Sequence, residues 1–353
     1  MDFRTMPKVE LHAHLNGSIT EETLASMIKK KPEAIRGHLT NLHTCIADGQ
    51  RRTLKECFNM FKLVHSIVND LDSLYQATCA VIDDFANDGV VYLELRSTPR
   101  AIAETDVTQD SYMRTVLRAI RDKTSESELG PYDGKRRPIV VRYLAAIDRR
   151  NSVEHAMETV DLAIKYKEQT GLVVGVDLSG DSSIGDATTF VPVLVKAVSH
   201  GLKLALHLAE VDGIVNETSQ MLELCPHRIG HGTFIHPKYG GTQQLLDQTR
   251  SLQIPLELCL TSNVKGQVTP SFEKHHFQAW HRMKHPIIIC TDDKGVFATK
   301  LSDEYKCVMD VFKLSRDDML DLAYNAINYI FEDDSVKDSF KQYFTSWRES
   351  LKN

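Results

Sequence analysis

LKLALHLAE, residues 202–210, is the stretch from which the fold is read. It opens as a leucine-rich apolar run of strand length, and its polar end carries His207 and Glu210. Near-continuous apolar character marks a strand covered on both faces, as in a parallel sheet. Seven more runs of this kind flank it: KVELHAHL (8–15), VVYLELRST (90–98), IVVRYLAAID (139–148), VVGVDLSG (173–180), RIGHGT (228–233), PLELCLTSN (255–263) and PIIICTDD (286–293). Longer amphipathic stretches lie between them, such as SVEHAMETVDLAIKYKEQT (152–170) and TTFVPVLVKAVSH (188–200). This alternation predicts an α/β chain folded as a (β/α)8 TIM-type barrel, with its site at the C-terminal ends of the strands. A doubly wound sheet is the competing fold, but no GxGxxG or P-loop follows any strand.

Two regions exceed a minimal barrel. Residues from about 18 to 88 separate the first two strands and predict a helical insertion, since a βα connection is usually far shorter. Within it, Thr53 and Glu56 of TLKECFNMFKLVH (53–65) make a capping box, and Leu54, Phe58, Phe61 and His65 fall on one stripe. Such a piece suits a lid or pocket wall. After Phe297 the chain reads as extra C-terminal helices, so residues 1–353 are expected to form a single barrel domain.

The 42% hydrophobic and 25% charged residues are those of a globular chain, and no apolar run approaches membrane-spanning length. No signal peptide is visible at MDFRTMPKVE. The seven cysteines, Cys45, Cys57, Cys79, Cys225, Cys259, Cys290 and Cys307, form no CxxC pair, which fits free thiols in a reducing, cytosolic setting. A net charge of −6 without a long basic run disfavours a polynucleotide surface, while leaving room for a local pocket for one phosphate.

The polar residues at the strand ends carry the chemistry. His12 and His14 alternate along one strand and so share a face, which lets both imidazoles hold one metal. HxH alone also fits two ordinary polar residues at a strand end. His207 and Asp292 end the fifth and eighth runs, and strands one and eight are neighbours in a closed barrel. Three imidazoles and a carboxylate suit zinc, which lowers the pKa of a bound water to about 7. The fourth run, VVGVDLSGD, has no lysine to bridge a second ion, so one metal is expected. Glu210 at the rim reads as a proton shuttle or as a solvated loop carboxylate. His231, between glycines, reads as a group that orients or deprotonates a water, or as a turn histidine. Asp293 points away from Asp292 and is left for water or substrate. HHFQAWHRMKH (275–285) lacks the HExxH glutamate and reads as a solvated helix face, and RRTLK and GKRRP read as solvated surface.

HAHLNG, HLAE, RIGHG and CTDDKG, in this order, resemble the adenosine deaminase family over essentially the whole chain. LELRSTPR, DLSGD, GLKLALHLAE and LELCLTSNVK are similar to the branch of that family that acts on N6-methyl-AMP. The resemblance implies one zinc held by His12, His14, His207 and Asp292, with His14 also beside the substrate. It implies that Glu210 protonates purine N1, that His231 assists the attacking hydroxide at C6, and that Asp293 contacts N7 and the attacking water. It makes the backbone of Gly180 a donor toward N3. Family members acting on nucleosides have HxHLDG, whereas this chain has Asn16, which removes a carboxylate that would repel a 5′-phosphate. His65, Ser97, Thr98, Pro99 and Arg100 are then the candidate phosphate contacts, and Asp148 the candidate ribose contact. The implied activity is hydrolysis of N6-methyl-AMP, and of related N6-substituted purine nucleoside monophosphates, to IMP and an amine. Its implied setting is a cytosolic monomer with neither polynucleotide nor membrane partner. The alternatives are an adenosine or AMP deaminase, and a catalytically silent nucleotide-binding relative.

Overall fold

All eight predicted runs form strands in the computed structural model, which describes residues 2–31, 50–124, 131–135 and 138–352. They are β1 (Lys8–His14), β2 (Val90–Ser97), β3 (Val140–Asp148), β4 (Val173–Ser179), β5 (Lys203–Leu208), β6 (Arg228–His231), β7 (Leu256–Leu258) and β8 (Ile287–Ile289). Each pairs in parallel with the next, in the order β1 to β8. The circuit closes just beyond β8: the Asp292 N–H donates to the His12 carbonyl at 2.8 Å, and the His14 N–H donates to the Asp292 carbonyl at 3.2 Å. The backbone hydrogen bonds that complete the barrel are therefore made by candidate site residues.

Helices alternate with the strands as expected of a (β/α)8 barrel. α1 (Glu21–Lys30), α2 (Leu54–Ile67) and α3 (Leu71–Asn87) lie between β1 and β2. α3 packs against β2 and against α4 (Gln109–Lys123), as a barrel helix should, so the added material precedes it. The capping box at Thr53 is present, with the Thr53 N–H donating to Glu56 at 2.7 Å. The circuit continues with α5 (Val153–Thr170), α6 (Val191–Ser199), α7 (Val215–Leu222), α8 (Gln243–Ser251), α9 (Leu260–Lys265) and α10 (Phe277–Arg282). α11 (Leu301–Phe312), α12 (Arg316–Ala326) and α13 (Asp334–Ser350) form the helical C-terminal region. α12 packs across β8 and β1, where closure occurs.

The eighth run is strand only over Ile287–Ile289, short of the expected 286–293, and the seventh departs further from its reading. Only Leu256–Leu258 is strand, and the expected strand tail Leu260–Asn263 is the start of α9. The Thr261 N–H is taken by the Glu304 carboxylate of α11 at 3.1 Å, which supplies the partner a strand ladder would have given. The turn of α9 then carries Ser262 and Asn263 toward the site.

The barrel interior is not purely apolar. Glu10, Glu94, Arg96, Asp177, Arg228 and Glu257 sit inside apolar runs and are fully buried. Glu10 accepts from the His12 N–H and from Thr291, and burial raises its pKa to about 8. The others are tied together: Glu257 accepts from Arg96 at 3.0 Å and from Arg228 at 2.5 Å, Arg96 lies 3.5 Å from Asp177, and Arg228 also binds Glu94 and lies 3.6 Å over the Phe331 ring. Buried charges are tolerated when each has such partners. The six described cysteines are free thiols. Among the described residues no helix is long and apolar enough to cross a membrane.

Candidate active site

The C-terminal ends of the strands bring the four expected metal ligands together. His12 and His14 each place Nε2 3.4 Å from Asp292 Oδ1, and His14 Nε2 is 3.2 Å from His207 Nε2. His231 joins them: its Nε2 lies 4.0 Å from Asp292 Oδ2, and one nitrogen or oxygen from each of His12, His207, His231 and Asp292 falls within a 4.8 Å cluster. The backbone bends to do this. His231 and Asp292 have φ values of 63° and 64°, a region that costs a side-chain-bearing residue about 1 kcal/mol or more. Glycines permit the crowding: a Cβ on Gly230 would come within 2.8 Å of the His12 ring.

The charged interior orients this cluster. His12 Nδ1 is 2.7 Å from Glu257, and His207 Nδ1 is 2.9 Å from Asp177. Burial alone would raise both carboxyls, but Arg96 and Arg228 beside Glu257, and His207 and Arg96 beside Asp177, hold them below their ordinary values. Each carboxylate therefore accepts a hydrogen bond from Nδ1–H, which leaves the Nε2 lone pair of His12 and of His207 facing the centre. His12 Nε2 is buried and has no hydrogen-bond partner. A buried lone pair left without a donor, amid two more imidazoles and the Asp292 carboxylate, is what a divalent cation such as zinc would satisfy. Asp292 Oδ2 accepts from Ser262 at 2.6 Å, and Oδ1 is the oxygen turned to His12 and His14.

Two groups face the cluster. Glu210 is buried rather than solvated; Ser182 donates to its Oε2 at 2.6 Å, and its Oε1 is 3.6 Å from His231 Nε2. Asp293 is buried, and its Oδ1 has no partner. Burial first, then the charges of Asp292 and Glu210, push its carboxyl well above the usual range. Gly17 makes room for it, because a Cβ there would lie 1.6 Å from Asp293 Oδ1.

A cavity of about 270 Å³ opens from this end of the barrel. It is lined at the cluster by His14, His207, Glu210, His231, Asp292 and Asp293, and farther out by Asn16, His65, Ser97, Thr98, Arg100, Asp148 and Gly180. Pro99 is buried and does not line it. The insertion supplies one wall through Cys57, Phe61 and His65 of α2; the side chains of Leu54 and Phe58 lie outside the described residues. His65 Nε2 is 3.3 Å from the Asn16 amide nitrogen. Burial, then Arg100 and Arg150, lower the His65 pKa to about 4, so its ring is neutral at pH 7. Arg100 donates to the Val68 carbonyl at 2.5 Å, which ties the end of α2 to the loop after β2.

The sequence reading missed three features here. Arg150 and Asn151, just past β3, also line the cavity, and Arg150 Nε binds Asp148 at 2.8 Å. The signal was the arginine pair after an aspartate-ending strand. Glu257 and Asp177 were hidden inside apolar runs. The histidine-rich stretch is a correction: His275, His276 and His285 are buried, and α10 ends at Arg282. Phe277 and Trp280 enter the core and carry the neighbouring histidines inward. His276 Nε2 reaches the His231 carbonyl at 3.0 Å.

Residues 7–346 match the profile of the adenosine deaminase family. The N6-methyl-AMP deaminase of Danio rerio is 46% identical over 352 residues, covering 99% of this chain and 97% of that relative. The N6-mAMP deaminase of Arabidopsis thaliana is 37% identical, covering 97% of each. A crystal structure of an Arabidopsis relative in complex with IMP matches with a TM-score of 0.86 at 38% identity, over 98% of this chain and 97% of that one.

Proposed function

The chain belongs to the adenosine deaminase family, and from that premise we propose that it is a zinc-dependent hydrolase of N6-methyl-AMP, releasing IMP and methylamine. The observation that carries this reading is a cavity with two differently furnished ends. The histidine–carboxylate cluster with Glu210 and Asp293 suits the purine ring, and Arg100, Arg150 and His65, which line the same cavity, suit a phosphate. The relatives named for N6-methyl-AMP and the one solved with IMP support the same substrate class.

His12, His14, His207 and Asp292 would hold the ion. Zinc bound there supplies a Lewis acid that makes a water acidic near neutral pH. C6 of the purine accepts the water oxygen readily only once N1 is protonated, and Glu210 provides that proton. Glu210, starting as a carboxylate, takes the first proton from the water and gives it to N1, then takes the second from the added oxygen and passes it to the departing amine as the C6–N bond breaks, so it ends as it began. Asp293, with its raised pKa, can carry a proton and donate to N7. The Gly180 backbone N–H faces N3, and Asp148 takes the ribose hydroxyls. Asn16 stands where a carboxylate would repel the 5′-phosphate.

The test is turnover of adenosine, AMP, N6-methyladenosine and N6-methyl-AMP by zinc-replete enzyme. Fastest use of N6-methyl-AMP is expected; preference for either nucleoside would overturn the phosphate assignment. Asn16→Asp should lower kcat/KM for the monophosphate more than for the nucleoside, and equal losses would remove charge repulsion as the reason for Asn16. A cytosolic setting is the one that this substrate class and the free thiols favour.

A further inference from the structure

Behind His231 runs a chain of hydrogen bonds whose direction is fixed at one end. The Phe277 backbone N–H donates to His275 Nδ1 at 3.0 Å. A backbone N–H can only donate, so His275 Nδ1 must accept, and the His275 proton resides on Nε2. Burial keeps this ring neutral. His275 Nε2 lies 2.9 Å from Asn263 Oδ1, which accepts from it. The Asn263 amide is thereby oriented, and its Nδ2 faces His231 Nδ1 at 3.2 Å as a donor. His275, Asn263 and His231 are all buried, so no water competes for these contacts.

From this chain we propose that Asn263 and His275 are positioning residues that hold His231 with Nδ1 unprotonated and its proton on Nε2, aimed into the active site. A second observation agrees. His231 Nε2 faces two carboxylate oxygens, Glu210 Oε1 at 3.6 Å and Asp292 Oδ2 at 4.0 Å. A lone pair there would be repelled by both, whereas an N–H is attracted.

The proposal sorts the histidines of the cluster by tautomer. His12 and His207 donate their Nδ1–H groups to Glu257 and Asp177 as hydrogen bonds, and so turn lone pairs inward. His231 is wired the opposite way, because its Nδ1 meets an amide donor instead of a carboxylate. Although it lies in the same cluster, His231 is therefore no ligand for a cation. In this tautomer it also cannot take a proton from the attacking water. It donates to the oxygen arriving at C6 and leaves proton transfer to Glu210. This role for His231 rests on the deaminase reading above; the tautomer assignment does not.

The test uses full-length, zinc-loaded protein labelled with 15N in histidine. Long-range proton–nitrogen spectra distinguish a protonated from an unprotonated ring nitrogen, and His231→Ala identifies the His231 signals. Wild-type His231 should show a protonated Nε2 and a bare Nδ1; the reverse pattern would overturn the proposal, whatever the enzyme turns over. Asn263→Asp replaces the amide donor by an acceptor and should move the proton to Nδ1. Its kcat should fall on the order of 10- to 100-fold, with KM and zinc content unchanged. A variant with normal kcat and a shifted proton would overturn the link from tautomer to catalysis. If Asn263→Asp does not fold, the wild-type spectrum still decides the assignment. A wild-type protein with the expected tautomer but no deaminase activity would instead count against the proposed function alone.

Discussion

Side chains of the same type do different work here because their neighbours differ. Glu210 and Asp293 both face the cluster, but Ser182 holds one oxygen of Glu210, whereas Asp293 Oδ1 has no partner. Glu210 is assigned the mobile proton, so Glu210→Gln should retain its zinc while kcat falls roughly 100- to 10,000-fold. Near-normal kcat together with full metal occupancy would refute the assignment. Gly17 tests the placement of Asp293 without touching an ionisable group. A methyl group there would overlap Asp293 Oδ1 and must displace it. Gly17→Ala should therefore cost at least about tenfold in kcat with an unchanged circular dichroism spectrum. Unaltered kinetics would mean that Asp293 is not needed where it stands. Most of the cluster was legible in the sequence, because each side chain ends an apolar run. Asn263 and His275 were not, since their importance lies in whom they touch across the fold, and a histidine followed by a phenylalanine and a tryptophan carries no directional information of its own.

Elements were legible to the extent that one force dominated them. The number and order of the strands were read correctly because apolar burial sets them, but β8 was read too long, and so was β7, because a carboxylate from α11, distant in sequence, captures the Thr261 N–H and starts a helix. α2 was found from its own cap. Its importance is that it carries Phe61 and His65 to the cavity. Thr53 lies at the far end of that helix from His65 and is exposed, so removing its hydroxyl deletes no side chain that lines the cavity while loosening the first turn. Thr53→Ala should speed amide exchange in α2 by roughly fivefold and leave the strands unaffected. KM for the monophosphate should rise more than kcat falls. Uniformly faster exchange over the barrel, or none in α2, would show that the cap does not govern this wall.

At the scale of the whole molecule, the barrel is held to its C-terminal helices partly by a buried acid. Glu304 of α11 is fully buried and accepts from the Thr261 N–H at 3.1 Å and the Thr299 hydroxyl at 2.7 Å. Burial raises its pKa to about 7 despite those donors. In the unfolded chain a glutamate titrates near its ordinary value, so the folded state holds this proton more tightly. The resulting stabilisation is complete below the unfolded pKa and is lost as pH rises through about 7. Glu304→Gln cannot titrate, and its substitution adds a penalty or gain that is independent of pH. The stability of the native protein relative to Glu304→Gln should thus decline between pH 5 and pH 8, by on the order of 3 kcal/mol. Taking the difference between the two proteins removes every other titrating group, including the zinc ligands they share. Urea unfolding of both at the two pH values measures it. A difference that stays constant, or that grows with pH, would mean that Glu304 is ionised in the folded protein, and that α11 is anchored to the end of β7 by a charge rather than by a neutral acid.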